Sequence, residues 1–205
     1  MDKKEEIIIV LNPGHAPDTP GKRSPDGKLM EWKWNLEAAE ETAKALQNAG
    51  YKVEIVRAMT ERESLTGPVR HVNNALCRRY GRRNVLFISL HCNAAGNGRE
   101  WKRAKGWEIW TSRGETESDR LATCIFRAAE GAMAGRPMRI DMSDGDPDKE
   151  KDFYVLFNTK CPAVLIESGF MDDKEECAWL LSDFSKQQTA EAVLRGLDSY
   201  LKIIE

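Results

Sequence analysis

The sequence predicts a single-domain α/β protein in which helices cover both faces of a twisted, mostly parallel sheet of about six strands. Three near-continuous apolar runs occupy residues 7–11, 85–90 and 163–166. Such runs are typical of central strands that are buried on both faces. Helix-like segments lie between the runs, and strands that alternate with helices indicate parallel pairing. The length of 205 residues suits one domain, spanning 1–205, with a substantial core.

The other elements follow from the periodicity of apolar residues. Residues 52–56 and 107–110 alternate apolar with polar, so they are expected to form more peripheral strands. The first helix is expected to stop at Gly50, because apolar residues keep helical spacing up to Leu46 and glycine commonly terminates helices. Three more helices are predicted, over residues 69–80, 119–132 and 190–204.

One segment fits neither pattern. Residues 136–152 contain two prolines, one glycine and six acidic side chains. This composition predicts a long exposed loop that could line a site.

Composition and charge exclude several classes of protein. The formal net charge of −2 gives no general attraction to nucleic acid or to an anionic membrane surface. No apolar run approaches the ~20 residues of a membrane span, and the N-terminal run is too short for a signal-peptide core. Five cysteines without a C-x-x-C pair indicate reduced thiols rather than a disulfide framework. We therefore expect a monomer that is cytoplasmic as synthesised, with neither a membrane nor a nucleic-acid partner.

Chemistry-bearing side chains follow the apolar runs. His15 comes after the first run, His91 after the run at 85–90, and Glu167 directly continues the last run. Ligands of open α/β sheets bind beyond the carboxyl ends of the strands, where these side chains are expected to meet. Glu31 precedes the first helix, where a carboxylate is favoured by the helix dipole.

These four residues have both a functional and a structural interpretation. Two histidines with one carboxylate form a ligand set of catalytic zinc, and a second carboxylate can then transfer protons. A single histidine near a strand end is more often a structural or capping group, and Glu31 alone could be a helix-start carboxylate. Since two of the three histidines follow buried strands, the spacing leaves both interpretations open.

Four motifs, in order along nearly the whole chain, carry a resemblance to a known family. They are NPGH after the first run, Glu31 ahead of Asn35, SLHCNA from Ser89 to Ala94, and the segment from VLFNT at Val155 to PAVLIESGF ending at Phe170. Together they resemble the zinc-dependent N-acetylmuramoyl-L-alanine amidases of the amidase-3 type.

The resemblance implies a ligand set and a reaction. His15, Glu31 and His91 would bind Zn²⁺, and Glu167 would be the catalytic carboxylate. The substrate would be peptidoglycan, cleaved at the amide between N-acetylmuramic acid and L-alanine of the stem peptide. Asn93 and Asn158 are predicted as substrate-binding residues.

The resemblance also implies how the enzyme is used. Residues 21–25 are similar to those of phage and prophage lytic amidases, so the chain is expected to reach the cell wall after release or lysis. It is expected to carry no separate wall-binding domain. Because the strand ending near Thr111 passes almost directly into the next helix, there is little room for the inhibitory helix that some septal amidases insert, and we expect an enzyme that is not autoinhibited.

The sequence departs from the family pattern at a few positions. Asn12 stands where many members have aspartate, and we expect it to orient His15 as a neutral group. Cys92 follows His91 where a small residue is usual. Two alternatives stay open at this point: a cysteine hydrolase that uses Cys92 with His15 or His71, and a non-catalytic wall-binding module with the same fold.

Overall fold

A single six-stranded sheet forms the centre of the protein, which is described over residues 3–204 by a computed structural model. In the order β2-β1-β3-β6-β4-β5, every neighbouring pair is parallel except β4 with β6. The strands are β1 (Ile8–Pro13), β2 (Lys52–Ile55), β3 (Val85–Asn93), β4 (Glu108–Thr111), β5 (Lys149–Glu150) and β6 (Ala163–Phe170). The mostly parallel sheet that the sequence predicted is confirmed.

Helices cover both faces of this sheet, as predicted. The α-helices are α1 (Lys3–Glu6), α2 (Glu31–Asn48), α3 (Thr66–His71), α4 (Cys77–Tyr80), α5 (Glu117–Ala132), α6 (Tyr154–Phe157), α7 (Lys174–Leu180) and α8 (Asp183–Ile204). Short 3₁₀ turns lie at Glu61–Glu63 and Arg82–Asn84, and a π-helical stretch, Val72–Leu76, joins α3 to α4. The predicted helix over 69–80 is therefore one helical segment with a local change of pitch.

The apolar runs pack on both sides because alternate side chains of a strand point to opposite faces. Ile9 and Leu11 of β1 join a large core with α2, α5 and α8. Ile8 and Val10 join a smaller core with α3, α4 and α6 on the other face. The long run in each central strand thus serves two cores at once.

Two parts of the chain were not foreseen in detail. The segment 136–152 is not loop throughout, because Lys149 and Glu150 form β5 on the sheet edge. Helix α7 was not predicted. Its N-terminus is capped by the Asp173 side chain, which accepts hydrogen bonds from the backbone N–H groups of Glu175 and Glu176. Of the helices within 3–204, none is long and apolar enough to cross a membrane.

Candidate metal centre and active site

The turn after β1 sets the first candidate ligand. His15 has φ 64°, and it is the one non-glycine residue with positive φ in the described part of the chain. This conformation is uncommon and costs about 1 kcal/mol or more, so surrounding contacts must hold it. Gly14 provides them, since its N–H donates to the Leu90 carbonyl at 3.0 Å and its own carbonyl accepts from the Asn35 amide at 2.9 Å. The His15 ring then stands edge-on to His91, with 5.0 Å between ring centroids.

Gly14 has a second role, which is steric. A Cβ atom at this position would lie 2.0–2.5 Å from three atoms of the His91 ring. No rearrangement of a flexible side-chain end could relieve that overlap, because the ring is fixed on β3. Glycine is therefore required for the two histidines to approach each other.

A relay of hydrogen bonds orients His91. The Ser89 hydroxyl donates to Asn12 Oδ1 at 2.9 Å, and the Asn12 amide donates to the Val56 carbonyl at 2.8 Å. With its proton given to Asn12, Ser89 can only accept from His91 Nε2, 3.1 Å away. Asn12 therefore supports His91 through Ser89, rather than His15 as the sequence analysis expected.

These hydrogen bonds determine which form of the His91 Nδ1 atom, protonated or not, faces Glu31. A neutral His91 that donates through Nε2 presents a lone pair at Nδ1. That atom lies 3.1 Å from Glu31 Oε1, which is also an acceptor. Two acceptors at this distance require a proton or a metal ion between them.

Glu31 is buried at the first residue of α2. Its Oε1 lies 3.3 Å from His15 Nε2 and accepts from the Cys92 backbone N–H at 3.2 Å. Burial alone would raise the pKa of Glu31, but the neighbouring imidazoles of His15 and His91 hold that pKa well below its usual range. The Glu31 Oε2 atom has no hydrogen-bond partner, and its charged neighbour is Lys22 Nζ at 3.9 Å.

One donor atom from each of His15, Glu31 and His91 lies within 4.8 Å of the others. The set contains two imidazole nitrogens and one carboxylate, which suits zinc and leaves a coordination position for a further ligand. A bound cation would also satisfy the two acceptors that face each other, His91 Nδ1 and Glu31 Oε1, and the unpartnered Glu31 Oε2. The residues present therefore fit a zinc ion.

Glu167 lies directly beside this set. It is the register neighbour of His91 on β3 and of Glu108 on β4. Burial, followed by the negative charges of Glu31 and Glu108, raises the pKa of Glu167 well above its ordinary value. Its Oε2 atom has no hydrogen-bond partner.

A cavity of about 270 Å³ opens onto these groups. Its lining includes His15, His91 and Glu167, together with the exposed hydrophobic residues Leu65 and Tyr154. The structure therefore brings together all four residues that the sequence predicted, at the carboxyl edge of the central strands.

Glu108 is a residue that the sequence analysis did not single out. It is buried, and its Oε1 accepts from Asn93 at 2.7 Å and from the Trp110 indole at 3.1 Å. Its Oε2 accepts from Arg139 and from Lys149, each at 2.7 Å. In the sequence it was one polar residue of an alternating strand, and its partners lie up to 41 positions away.

The two asparagines predicted to bind substrate lie elsewhere. Asn93 is tied to Glu108 and to the backbone of Ala94, and Asn158 is exposed and donates to the Tyr154 carbonyl. Neither lines the cavity. Substrate binding by either asparagine stays a prediction, and their contacts favour a structural role.

Cys92 does not fit the alternative of a cysteine hydrolase. Its side chain points away from His91 into the large core and is 2% exposed. Burial, with the charges of Glu31 and Glu167, raises the pKa of the thiol well above its ordinary value. A nucleophile needs the thiolate, so this environment opposes that role. His71 is likewise remote, since it pairs with Glu54 at 2.7 Å on the surface.

Comparison with known families identifies the class of protein. Residues 9–199 match the family described as N-acetylmuramoyl-L-alanine amidase, of the amidase-3 type. The chain therefore belongs to this family, which confirms the resemblance found in the motifs.

Individual relatives agree with the family. YqiI of Bacillus subtilis, strain 168, an uncharacterized protein, is 26% identical over 96% of this chain and 85% of its own length. The endolysin of Bacillus phage SPP1 is 31% identical over 58% of this chain and 41% of the endolysin. Other curated relatives, named as probable cell wall amidases LytH of Staphylococcus epidermidis, are matched over 57% of their length, so the chain spans little more than half of them.

Solved structures share the fold. The amidase AmiC2 of Nostoc punctiforme superposes with a TM-score of 0.76 at 24% identity, over 96% of this chain and 98% of that one. At this identity the likeness shows the fold alone.

Proposed function

We propose that this amidase is zinc-dependent and hydrolyses the amide bond between N-acetylmuramic acid and the L-alanine of peptidoglycan stem peptides. His15, Glu31 and His91 would hold the metal, and Glu167 would be the catalytic carboxylate. The observation that carries the proposal is the convergence of the three ligand atoms within 4.8 Å of one another, beside a carboxylate on the neighbouring strand.

Glu167 is suited to move a proton. It is half-buried, has an unpartnered oxygen and faces the cavity, so it can reach a bound substrate. Bound zinc would polarise the amide carbonyl and lower the pKa of water. Glu167 would accept a proton from the attacking water and deliver it to the amide nitrogen, because an amine leaves poorly unless it is protonated.

The cavity walls are suited to place such a substrate. Lys22 contributes a cation 3.9 Å from Glu31, and Leu65 and Tyr154 contribute apolar surface to the same cavity. Aromatic and aliphatic side chains favour contact with sugar rings and alanine methyl groups. The scissile bond would then lie over Glu167.

The first test is mass spectrometry of the soluble products released from purified peptidoglycan by the zinc-loaded enzyme. Free stem peptides that begin with L-alanine, together with glycan that carries no peptide, are expected. Stem fragments still attached to muramic acid would show a peptidase and contradict the proposed bond.

The ligand assignment needs a separate measurement, because loss of activity alone does not identify a metal site. His15→Ala is expected to lose both zinc, measured by elemental analysis, and product release. A matched control is His71→Ala, which removes the surface histidine that pairs with Glu54 and should retain one zinc and full activity. Equal zinc content in His15→Ala and the parent would remove His15 from the ligand set.

The absence of an inhibitory insertion is also open to test. Residues 112–116 alone connect β4 to α5. We infer an enzyme that is active as purified, and a requirement for an added activator protein would contradict this.

A further inference from the structure

The acidic part of segment 136–152 has no role in the amidase site. Residues 144–150 read Asp-Gly-Asp-Pro-Asp-Lys-Glu, with an acidic side chain at every second position. Pairing of Thr111 with Glu150 in β4 and β5 lays this segment along the sheet edge, next to the start of α5. Asp148 thereby meets Asp146 and the Thr111 hydroxyl, and the negative charge of Asp119 of α5 acts on both aspartates.

Three carboxylate oxygens in this acidic cluster (Asp119, Asp146 and Asp148) are buried without a hydrogen-bond partner. They are the Oδ1 atoms of the three residues. The other oxygen of Asp148 accepts from the Thr111 hydroxyl at 2.7 Å, and the other oxygen of Asp119 accepts from the Thr116 N–H at the α5 N-terminus. Each of these two residues therefore uses one oxygen structurally and leaves the second one unsatisfied.

Asp148 is the most enclosed member, with 1% of its surface exposed. Its carboxylate meets that of Asp146, an arrangement of two acceptors with no donor between them. Buried charges without a partner are strongly unfavourable, so such a pair requires a cation or a shared proton.

The cations of the neighbourhood are engaged elsewhere. Lys149 and Arg139 both bind Glu108, and within residues 3–204 no ion pair reaches Asp119, Asp146 or Asp148. The backbone N–H groups of Arg113 and Gly114 serve Asp152 and Glu150. No protein group in the described range thus neutralises the acidic cluster.

We propose that Asp119, Asp146 and Asp148, with the Thr111 hydroxyl, form a second cation site that takes a hard divalent ion of the calcium class. All of its donors are oxygens, the ligand type that calcium and magnesium prefer, whereas the first site offers imidazole nitrogens. Calcium is favoured over magnesium because the donors come from three separate segments, β4, α5 and residues 146–148, and need flexible geometry.

The cation would tighten the acidic cluster. Among residues 3–204, three carboxylate, imidazole or thiolate donors lie within 4.8 Å of one another only at His15, Glu31 and His91. Binding would therefore bring the three carboxylates closer together, with water completing the coordination shell. The bound cation would hold segment 136–152, which contains Arg139 and Lys149, against β4. This contact is on the side of the sheet away from the proposed zinc ligands. The proposal does not depend on the amidase reaction.

Terbium luminescence in the zinc-loaded protein provides the test, since terbium is a hard trivalent substitute for calcium. Trp110 precedes Thr111 and can sensitise a terbium ion held there. We expect sensitised emission that calcium displaces. We also expect calcium at a hundredfold excess over Kd to raise Tm by about 5 °C or more.

Variants separate this site from adventitious binding. Asp148→Asn and Asp146→Asn are expected to weaken calcium at least tenfold. Asp141→Asn is the matched control, because Asp141 is exposed in the same segment, lies outside the acidic cluster and loses the same charge. All three variants should retain one zinc and their activity without calcium.

Three outcomes would overturn the proposal. The first is no effect of calcium on Tm or emission, and the second is an equal response in Asp148→Asn. The third is a stability that ignores calcium but falls as pH rises from about 4 to about 8. Burial and the neighbouring Asp146 raise the pKa of Asp148 to about 8, so a proton shared by the two carboxylates would stabilise the fold fully below about pH 4, and this stabilisation would be lost progressively up to about pH 8.

Discussion

Glu167 and Glu108 are neighbours in one row across β6 and β4, yet their surroundings differ completely. Glu108 accepts four hydrogen bonds from side chains, two of them charged, and has no free oxygen. Glu167 has an oxygen without a partner and opens onto the cavity beside His91. A buried carboxylate whose acceptor capacity is filled stabilises the fold, whereas one left unfilled beside a cavity is available for chemistry.

Glu167→Gln should give the largest effect of the comparison. Removing the proton-transfer group is expected to lower kcat by about 10³-fold, with zinc retained. Stability should be unchanged or slightly higher, because a buried carboxylate without a partner is replaced by a neutral amide. Product release from peptidoglycan, zinc content and Tm measure the three quantities. A rate near that of the parent would remove Glu167 from its assigned role.

Glu108→Gln should show the opposite pattern. Each Glu108 oxygen accepts from two donors. A glutamine has an NH₂ group in place of one of these oxygens, so two donors on that side would lose their acceptor and face another donor. We expect a loss of roughly 2 kcal/mol in the free energy of unfolding, reduced by solvent screening at the partly exposed Arg139. Chemical denaturation measures this loss.

The activity of Glu108→Gln shows whether Glu108 is a structural or a catalytic carboxylate. Below its Tm this variant should remain within about tenfold of the parent rate, since Glu108 does not line the cavity. A variant with parental stability and no activity would reverse the assignment of the two carboxylates.

Ser89→Ala tests the relay behind His91. Without the hydroxyl, His91 Nε2 loses its acceptor and the ring is less firmly held with Nδ1 toward Glu31. Zinc affinity is expected to fall about tenfold, as measured by competition with a chelator. Unchanged affinity would show that packing against Gly14 alone orients the ring.

Glu130→Gln should give the smallest effect. This carboxylate is exposed and pairs with Arg127 three residues away on α5. Exposed pairs of this kind contribute about 0.5 kcal/mol or less. Neither Tm nor product release should change measurably, and a larger effect would mean that charge loss itself, rather than burial, governs the first two variants.

Much of the fold was predictable because its signals are local. The apolar runs of β1, β3 and β6 and the helical spacing of α2, α5 and α8 are visible in consecutive residues. Strand β5 was not predictable, since two residues gain their structure only by pairing with β4. The antiparallel direction of β4 in a parallel sheet is likewise a property of the chain path.

The residues of the candidate site also divide into those that the sequence indicated and those that only the structure revealed. His15, His91 and Glu167 were singled out because each comes after an apolar run, a rule that depends on sequence position alone. Glu108 was missed because its four donors come from residues 93, 110, 139 and 149, which nothing in the strand itself indicates. Asn93, predicted to bind substrate, turned out to be one of those donors.

By itself, the sequence determined the fold class and the order of the main elements, because these depend on periodicity. It also singled out the four candidate residues of the centre, three of them after apolar runs and Glu31 at a helix start. Only the tertiary structure decided which of the buried carboxylates are satisfied. Whether Glu167, Glu108 or Asp148 has partners depends on groups that are far away in the chain and are brought together by packing. Hydrogen-bond satisfaction is a property of three-dimensional neighbours, and it is this property that separates the carboxylate proposed to be catalytic from the structural one.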